Sequence, residues 1–363
     1  MNLKPIILCL ILSLGLSFIG CNNEPSVDKP PFDREEMLRS LGENIILPAH
    51  QNFLIEATRL DSISQLFVQE TSFELYDALQ TQWKRSKSAW KYCEIYDILS
   101  VREQYLQNKV DKWPVKVRFI DENLESAEIL DATFVENSGS TSKGLPALEY
   151  LLFDSLGIEV FKSVALAERR KEYLIALSEN LLTQAETILS VWQTELPTFA
   201  TNTENFSKGS LNELVNAQVA ILEKMIANKI NKPLGKSDGG IPQPNKCETY
   251  RSQTSYDWLV VNLNSFEQSI TGSIQGASLL DLLDHSEAKS GEEALSTVIS
   301  SQLKVCQDLM KANVNQPLSE QILTNPEPLE GISDALVNLL GLIKVDMANH
   351  LGIIITFNIT DGD

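Results

Sequence analysis

Apolar side chains recur at steps of three and four residues along most of this chain. Two long stripes are Phe73, Tyr76, Leu79, Trp83, Ser86, Trp90, Cys93 and Leu174, Leu177, Leu181, Ala185, Ile188, Trp192. Two more are Leu211, Leu214, Gln218, Leu222, Met225 and Leu336, Leu340, Ile343, Met347, Leu351. Each stripe is the apolar face of a helix, and such faces are buried by packing helix against helix. The sequence therefore predicts an all-α fold whose core contains these aromatic and methionine residues.

The chain begins with a short apolar segment that ends at a cysteine. Lys4 precedes an almost uninterrupted apolar run over 6–19, which is shorter than the roughly 20 residues of a membrane-spanning helix. Gly20 and Cys21 then follow in the arrangement of a bacterial lipobox, with Phe18 where leucine is usual. We interpret residues 1–20 as a lipoprotein signal peptide and Cys21 as its lipidation site. The alternative is an N-terminal anchor helix that stays uncleaved.

Breaks in the helical pattern suggest how the rest of the chain is divided. Residues 21–32 are polar and proline-rich, which favours a flexible tether between the lipid and the folded part. Residues 231–246 contain too many prolines and glycines for a regular element and predict a loop. This loop separates an N-terminal helical half, 33–230, from a C-terminal helical half, 247–363. The isoleucine-rich segment 352–357 predicts a short extended tail packed against the helices.

The charge of the chain limits its partners. The formal net charge is −19, which makes a nucleic-acid partner unfavourable and also repels an anionic bilayer surface. Attachment to a membrane is therefore expected to come from acyl chains on Cys21. Cys93, Cys247 and Cys306 are widely separated and allow at most one disulfide. Cys93 lies on an apolar stripe, which favours a small core residue.

The segment 144–153, Gly-Leu-Pro-Ala-Leu-Glu-Tyr-Leu-Leu-Phe, contains one acidic residue in an otherwise apolar helix. Pro146 suits the first turn, where its missing N–H costs nothing. Placing the residues about 100° apart sets Glu149 between Leu145 and Phe153 on a helix that is apolar nearly all round. We therefore expect the Glu149 carboxylate to be buried, where it needs a cation, a metal or several hydrogen-bond donors. A structural carboxylate and a functional site are both compatible with this pattern.

The same segment resembles the signature of the imelysin family of bacterial envelope proteins, in which Gly-x-His-x-x-Glu opens an apolar helix. Other blocks agree in order and spacing across the mature chain: Asn44-Ile45-Ile46-Leu47-Pro48, the Trp83 to Trp90 to Glu94 helix, Asp111-Lys112-Trp113-Pro114, Asp257 to Asn262, and Leu351-Gly352 to Phe357-Asn358-Ile359-Thr360-Asp361-Gly362-Asp363. The resemblance implies two packed four-helix-bundle-like halves with the motif glutamate at a cleft between them. It places Gly144, Pro146 and Glu149 at that cleft, with Trp113 and Asn262 as further candidates from matching blocks.

One departure from the family motif bears on function. Pro146 stands where the family has histidine, so Gly144 and Glu149 carry over but that metal ligand does not. The family is classed with metallopeptidases, and zinc hydrolases usually need three protein ligands. His50, His285 and His350 are far apart in sequence, and no His-Glu-x-x-His occurs. A carboxylate site for calcium or magnesium is an alternative, although Asn358, Asp361 and Asp363 lack the closing glutamate of a calcium loop and favour a plain tail.

These observations favour a non-catalytic binding or accessory lipoprotein, with no catalytic residue assigned and a ligand cleft near Glu149. The resemblance suggests iron or other metal acquisition as the setting, with a divalent metal or a small molecule as ligand. A metallopeptidase that uses scattered ligands is the alternative, and a purely structural lipoprotein is a third. Asn22 is not the aspartate that retains enterobacterial lipoproteins at the inner membrane. We therefore predict the outer membrane, on its periplasmic or its surface face.

The lipobox interpretation predicts the behaviour of Cys21→Ala. One diacylglyceryl-modified cysteine would supply all the attachment, so the substitution is expected to release the protein from membranes or to leave its signal peptide uncleaved. Membrane fractionation with immunoblotting measures both effects, and Cys93→Ala serves as the matched control. A processed Cys21→Ala protein that stays fully in the membrane fraction would contradict the interpretation.

Overall fold

The computed structural model describes residues 30–313 and 316–356, and helices dominate both ranges. In chain order the α-helices are α1 (Arg34–Leu41), α2 (Leu47–Gln69), α3 (Phe73–Cys93), α4 (Leu99–Glu103), α5 (Leu106–Val110), α6 (Val117–Glu125), α7 (Ala132–Asn137), α8 (Gly144–Leu152), α9 (Ala167–Thr201), α10 (Ser210–Lys224), α11 (Ser255–Thr271), α12 (Leu279–His285), α13 (Leu295–Ala312), α14 (Leu318–Thr324), α15 (Glu327–Gly341) and α16 (Ala348–Leu351). The predicted all-α fold is confirmed. The predicted signal peptide, Cys21 and the residues Asn358, Asp361 and Asp363 lie outside the described ranges.

Shorter segments connect or extend these helices. Turns of 3-10 helix occur at Glu94–Tyr96, Ser140–Ser142, Gly157–Phe161 and Pro244–Lys246, and π-helical segments occur at Gly42–Ile46, Met225–Asn231 and Leu342–Met347. Strands β1 (Lys289–Ser290) and β2 (Glu293–Ala294) pair antiparallel, with Lys289 opposite Ala294 and Ser290 opposite Glu293. Among the helices of the described ranges, none combines the length and the apolar character that crossing a membrane requires.

The largest packed layer is formed by α2, α3 and α9. Each helix contributes an apolar face, and the rings of Phe53 and Trp90 meet with their centroids 5.1 Å apart. Full burial of such side chains stabilises the fold by about 1.5–3 kcal/mol each. The predicted stripes are buried here, with one correction. Phe73 is 68% exposed because it is the first residue of α3, one turn before the first buried position of the stripe.

The C-terminal helices pack on this layer and on one another. Helix α11 contacts α3, and α15 contacts α13 and the π-helical segment Met225–Asn231. Residues from Asp33 onward form one compact unit by their contacts, so the division into halves at the 231–246 loop stays a prediction. Cys93, Cys247 and Cys306 are buried free thiols. The Cys93 thiol donates to the carbonyl of Ala89 at 3.5 Å, as suits a small core residue.

The chain after α16 leaves the helices and is held by two asparagines of α10. Asn212 donates to the Ile354 carbonyl at 3.0 Å and accepts from the Ile354 N–H at 2.7 Å. Asn216 also donates to the Ile354 carbonyl, at 2.9 Å, and accepts from the Thr356 N–H at 2.8 Å. Both asparagine side chains are buried. Their amides therefore complete the backbone hydrogen bonds of a segment that has no strand partner, and they fix the predicted tail on α10.

This contact predicts a stability loss in Asn216→Ala. The variant loses the bonds to Ile354 and Thr356 and leaves backbone groups to be satisfied by water, so we expect the free energy of unfolding to fall by about 1–3 kcal/mol. For a chain of this size that corresponds to a melting temperature lower by roughly 1–2 °C per kcal/mol. Asn52→Ala on the exposed face of α2 is the control. Equal melting temperatures for the two variants would show that the tail contact contributes nothing.

Candidate functional site

Helix α8 carries the predicted motif and is buried along most of its length. Gly144 begins the helix with φ +70°, and a Cβ atom there would lie 2.2 Å from the Val110 carbonyl oxygen. Only glycine fits this close approach, because a side chain would clash with the backbone at the end of α5. Pro146 is buried in the first turn, as its position in the motif predicts. The motif glycine thus brings α8 against the end of α5, directly beside Asp111.

Glu149 is 4% exposed and points to the segment 248–252. Its Oε1 atom accepts hydrogen bonds from the backbone N–H groups of Arg251 (3.1 Å) and Ser252 (2.9 Å), and from the Ser252 hydroxyl (3.0 Å). Burial raises the pKa of the Glu149 carboxyl above its ordinary value, and the Ser252 N–H and the Lys87 charge only partly oppose this rise. The carboxylate is therefore held by neutral donors of a neighbouring segment, one of the two arrangements that the sequence allowed.

Six buried side chains next to this contact form an ion cluster: Lys87, Lys91, Glu94, Asp111, Lys229 and Glu248. Lys87 Nζ lies 2.5 Å from Asp111 Oδ1 and 3.0 Å from Glu248 Oε1. Lys91 Nζ lies 2.7 Å from Asp111 Oδ2 and 2.8 Å from Glu94 Oε2, and it also pairs with Glu248. Lys229 Nζ lies 2.9 Å from Glu248 Oε2. Each carboxylate of the cluster thus contacts at least two of its ammonium groups, and Glu94 also pairs with Lys224.

At Lys91 and Glu94, the attraction between opposite charges outweighs the effect of burial on the pKa. Burial opposes the charge of Lys91, but Asp111, Glu248 and Glu94 together raise its pKa well above the ordinary value. The reverse holds for Glu94, because Lys224, Lys229 and Lys91 overcome its burial and lower its pKa well below the ordinary value. Lys229 is the exception. Burial lowers its pKa to about 8 against the attraction of Glu248 and Glu94, so its proton is held more weakly than that of Lys91.

Of the two further predicted residues, Asn262 is hydrogen-bonded to the ion cluster and Trp113 is not bonded to Glu149. Asn262 is fully buried, accepts from Lys229 Nζ at 2.5 Å and donates to Glu94 Oε2 at 3.0 Å, so it belongs to the cluster. Trp113 is half-buried and follows Asp111 by two residues, with a cis peptide bond to Pro114. Within the described ranges, no hydrogen bond or ring contact joins Trp113 to Glu149. Asn262 thus lies beside the ion cluster, whereas Trp113 is near Asp111 in sequence.

None of the six residues of the ion cluster was predicted as a site residue, although Glu94 and Asp111 lie in blocks that resemble the family. Lys87 and Lys91 lie on the buried side of α3, close to the core residues Trp83 and Trp90. A lysine at such a position signals a buried ion pair, because an unpaired ammonium group would not be tolerated there. That signal was present in the sequence. Asp111 and Glu248, the partners of these lysines, are 20 or more residues away in sequence, so no spacing within one helix identifies them as partners.

A zinc site does not fit this set of side chains. Pro146 offers no donor atom, and the carboxylates of Glu94, Asp111 and Glu248 already contact lysines. Among the described residues, no three His, Cys, Asp or Glu side chains are grouped to hold a metal ion. The histidines are in unrelated places. His50 is buried with Nδ1 2.8 Å from the Ile46 carbonyl, His285 ends α12, and His350 contacts the Lys289 carbonyl.

Comparisons with known proteins give one family and one fold. A model of the imelysin family (peptidase M75) matches residues 46–343, whereas no curated protein matches the sequence. The crystal structure of an imelysin-like protein from Psychrobacter arcticum 273-4 is 20% identical, with a TM-score of 0.73 over 90% of this chain and 99% of that chain. A structure from Parabacteroides distasonis ATCC 8503, assigned as an iron-regulated protein A precursor, is 16% identical, with a TM-score of 0.74 over 89% and 97%. At these identities the structures show a shared fold.

The contacts of Glu149 predict opposite effects for two substitutions. Glu149→Gln keeps an oxygen that accepts the three hydrogen bonds, whereas Glu149→Ala leaves the N–H groups of Arg251 and Ser252 without an acceptor. We expect the alanine variant to lose about 1–3 kcal/mol of unfolding free energy. Burial raises the folded-state pKa of Glu149 above its ordinary value of 4.5. The wild type therefore loses stability relative to Glu149→Gln as the pH rises from the ordinary pKa to the folded-state pKa. The glutamine variant should therefore be at least as stable as the wild type at neutral pH.

Chemical denaturation of the three proteins at a series of pH values measures both effects. A loss of roughly 3–5 kcal/mol in Glu149→Gln at neutral pH would show instead that a buried cation, not a set of N–H groups, is the main partner of the carboxylate.

Proposed function

Because this chain belongs to the imelysin family, we propose that it is a non-catalytic binding or accessory protein of the bacterial cell envelope, acting in the acquisition of iron or another metal. The family match over 46–343 supports the envelope setting. The structurally similar protein from Parabacteroides distasonis is assigned as an iron-regulated protein A precursor, which supports iron as the metal. The N-terminal sequence supports attachment through lipid on Cys21, and Asn22 supports the outer membrane as the location.

One observation carries the non-catalytic part of the proposal: the carboxylates around the motif helix already have partners. Lysines neutralise Glu94, Asp111 and Glu248, and three donors bind Glu149 Oε1. A catalytic zinc site needs about three protein ligands and one position open to water. A metal ion entering here would have to displace buried ammonium groups, and a buried charge that loses its partner costs several kcal/mol. The site thus favours a role in which the protein carries or presents a ligand without cleaving a substrate.

A growth experiment tests the proposed role. A strain without the gene is compared with strains that carry the wild-type gene or Cys21→Ala, in iron-limited and iron-replete medium. We expect slower growth of the deletion strain under iron limitation, rescue by the wild type and poor rescue by Cys21→Ala. Equal growth of the deletion strain and the wild type under iron limitation would contradict a role in iron acquisition.

The metallopeptidase alternative predicts a different result with the purified protein. We expect no peptide hydrolysis above the chelator-treated control after addition of zinc, cobalt or manganese, because Pro146 provides no ligand and the nearby carboxylates bind lysines. Hydrolysis of a casein or fluorogenic peptide mixture measures the activity. Chelator-sensitive cleavage that remains after a second purification would favour the peptidase over the accessory role.

A further inference from the structure

Two arginines next to the motif helix lack an acidic partner. The guanidinium centre of Arg251 lies 4.9 Å from the ring centroid of Tyr150 and 5.4 Å from that of Tyr250. Arg170, near the start of α9, has its Nε and Nη1 atoms buried without a hydrogen-bond partner. Among the described residues, no carboxylate lies within 4.0 Å of either guanidinium group as an ion pair. By contrast, Arg102 pairs with Glu213 and Arg169 pairs with Glu172.

Both arginines act on the same tyrosine of α8. Burial and a hydrogen bond to Asp121 raise the pKa of Tyr150, and the charges of Arg170 and Arg251 both oppose this rise. Hydrogen bonds also bring the start of α9 to this tyrosine, because both contact α6. The Tyr150 hydroxyl donates to Asp121, and Arg169, the chain neighbour of Arg170, donates to the Leu124 carbonyl at 3.3 Å. The neighbouring acids accept hydrogen bonds from other donors. Asp121 accepts from the Tyr150 hydroxyl at 2.9 Å, and Glu149 accepts from the backbone N–H groups of Arg251 and Ser252.

Buried arginine donors without an acceptor are unexpected in this chain, which has 49 acidic and 30 basic residues. An arginine stays protonated at all physiological pH values, so it cannot relieve its burial by losing a proton. Buried N–H donors without an acceptor also destabilise the folded state. The acceptor that Arg170 lacks within the chain is therefore best supplied by a bound anion.

We propose that Arg170 and Arg251 form a binding site for a small carboxylate or phosphate anion beside Tyr150. The planar guanidinium group binds two oxygens of such an anion at once, which a point charge does not. Stacking on Tyr150 and Tyr250 fixes the plane of Arg251 before the ligand arrives. Tyr250 is 41% exposed and Tyr150 is half-buried, so the Arg251 side of the site opens to solvent. Arg170 supplies the buried donors.

The anion site connects to metal acquisition through the chemistry of soluble iron complexes. A ferric complex of a polycarboxylate such as citrate presents carboxylate oxygens at its surface, and guanidinium groups bind those oxygens without removing the metal. This identification of the ligand rests on the proposed function. The anion site itself rests only on Arg170, Arg251 and Tyr150.

Calorimetric titration of the mature protein tests the site. Citrate, inorganic phosphate and ferric citrate are the probes, each at matched ionic strength against sodium chloride. We expect the wild type to bind citrate or phosphate, and Arg251→Ala and Arg170→Gln each to weaken that binding roughly tenfold or more, since each removes a charge-assisted contact. Arg251→Lys keeps the charge but loses the planar fork, and should bind with intermediate affinity. Arg118→Ala, at a side chain that is 80% exposed, is the control and should change affinity less than twofold.

Melting curves without ligand show whether each variant is folded, so loss of binding is distinguished from loss of structure. An absence of citrate and phosphate binding by the wild type, or equal weakening in Arg118→Ala, would overturn the anion site. Tighter binding of ferric citrate than of citrate would support both the site and its role in iron acquisition. Binding of citrate or phosphate with no binding of ferric citrate would leave the anion site standing and count against the iron complex as its ligand.

Discussion

Three buried lysines and three buried carboxylates impose the strictest condition on this structure. Charges taken out of water are stabilised only when each has partners in good geometry, and removing one partner leaves the others uncompensated. Lys87, Lys91 and Glu94 come from α3 and the turn after it, whereas Asp111, Lys229 and Glu248 come from three other parts of the chain. The cluster is satisfied only when all four segments are in place. It therefore couples the early helices to the segments that precede α11.

The motif helix is oriented by residues adjacent to members of the cluster. At its start, Gly144 contacts the Val110 carbonyl, one residue before Asp111. Near its end, Glu149 accepts hydrogen bonds from the backbone N–H groups of Arg251 and Ser252, which lie in the same segment as Glu248. Asp111 and Glu248 are thus fixed by lysines on one side, and their chain neighbours fix α8 on the other. The same segment places the Arg251 side chain on Tyr150, so the buried ions also position the solvent-facing side of the anion site.

Periodicity predicted the helices and the burial of Glu149, because both follow from side-chain spacing within one element. The stripes of α3 and α9 and the apolar circumference of α8 are local patterns. The partners of Glu149 are 102 and 103 residues away in sequence, and no spacing rule connects them. Lys87 and Lys91 were not among the predicted site residues. A lysine within a helix is usually solvated, and only the neighbouring Trp83 and Trp90 indicate that these two are buried. The family signature located α8 correctly but could not show that lysines would occupy its surroundings.

The two asparagines of α10 receive their partners very late in synthesis. A ribosome completes Asn212 and Asn216 about 140 residues before it adds Ile354 and Thr356, and contacts of such large sequence separation form slowly. Until then water must solvate two amides that are buried in the final structure. The closing of this contact is consequently one of the last events in folding, and polypeptides that stop short of Ile354 leave the amides of Asn212 and Asn216 to be solvated by water.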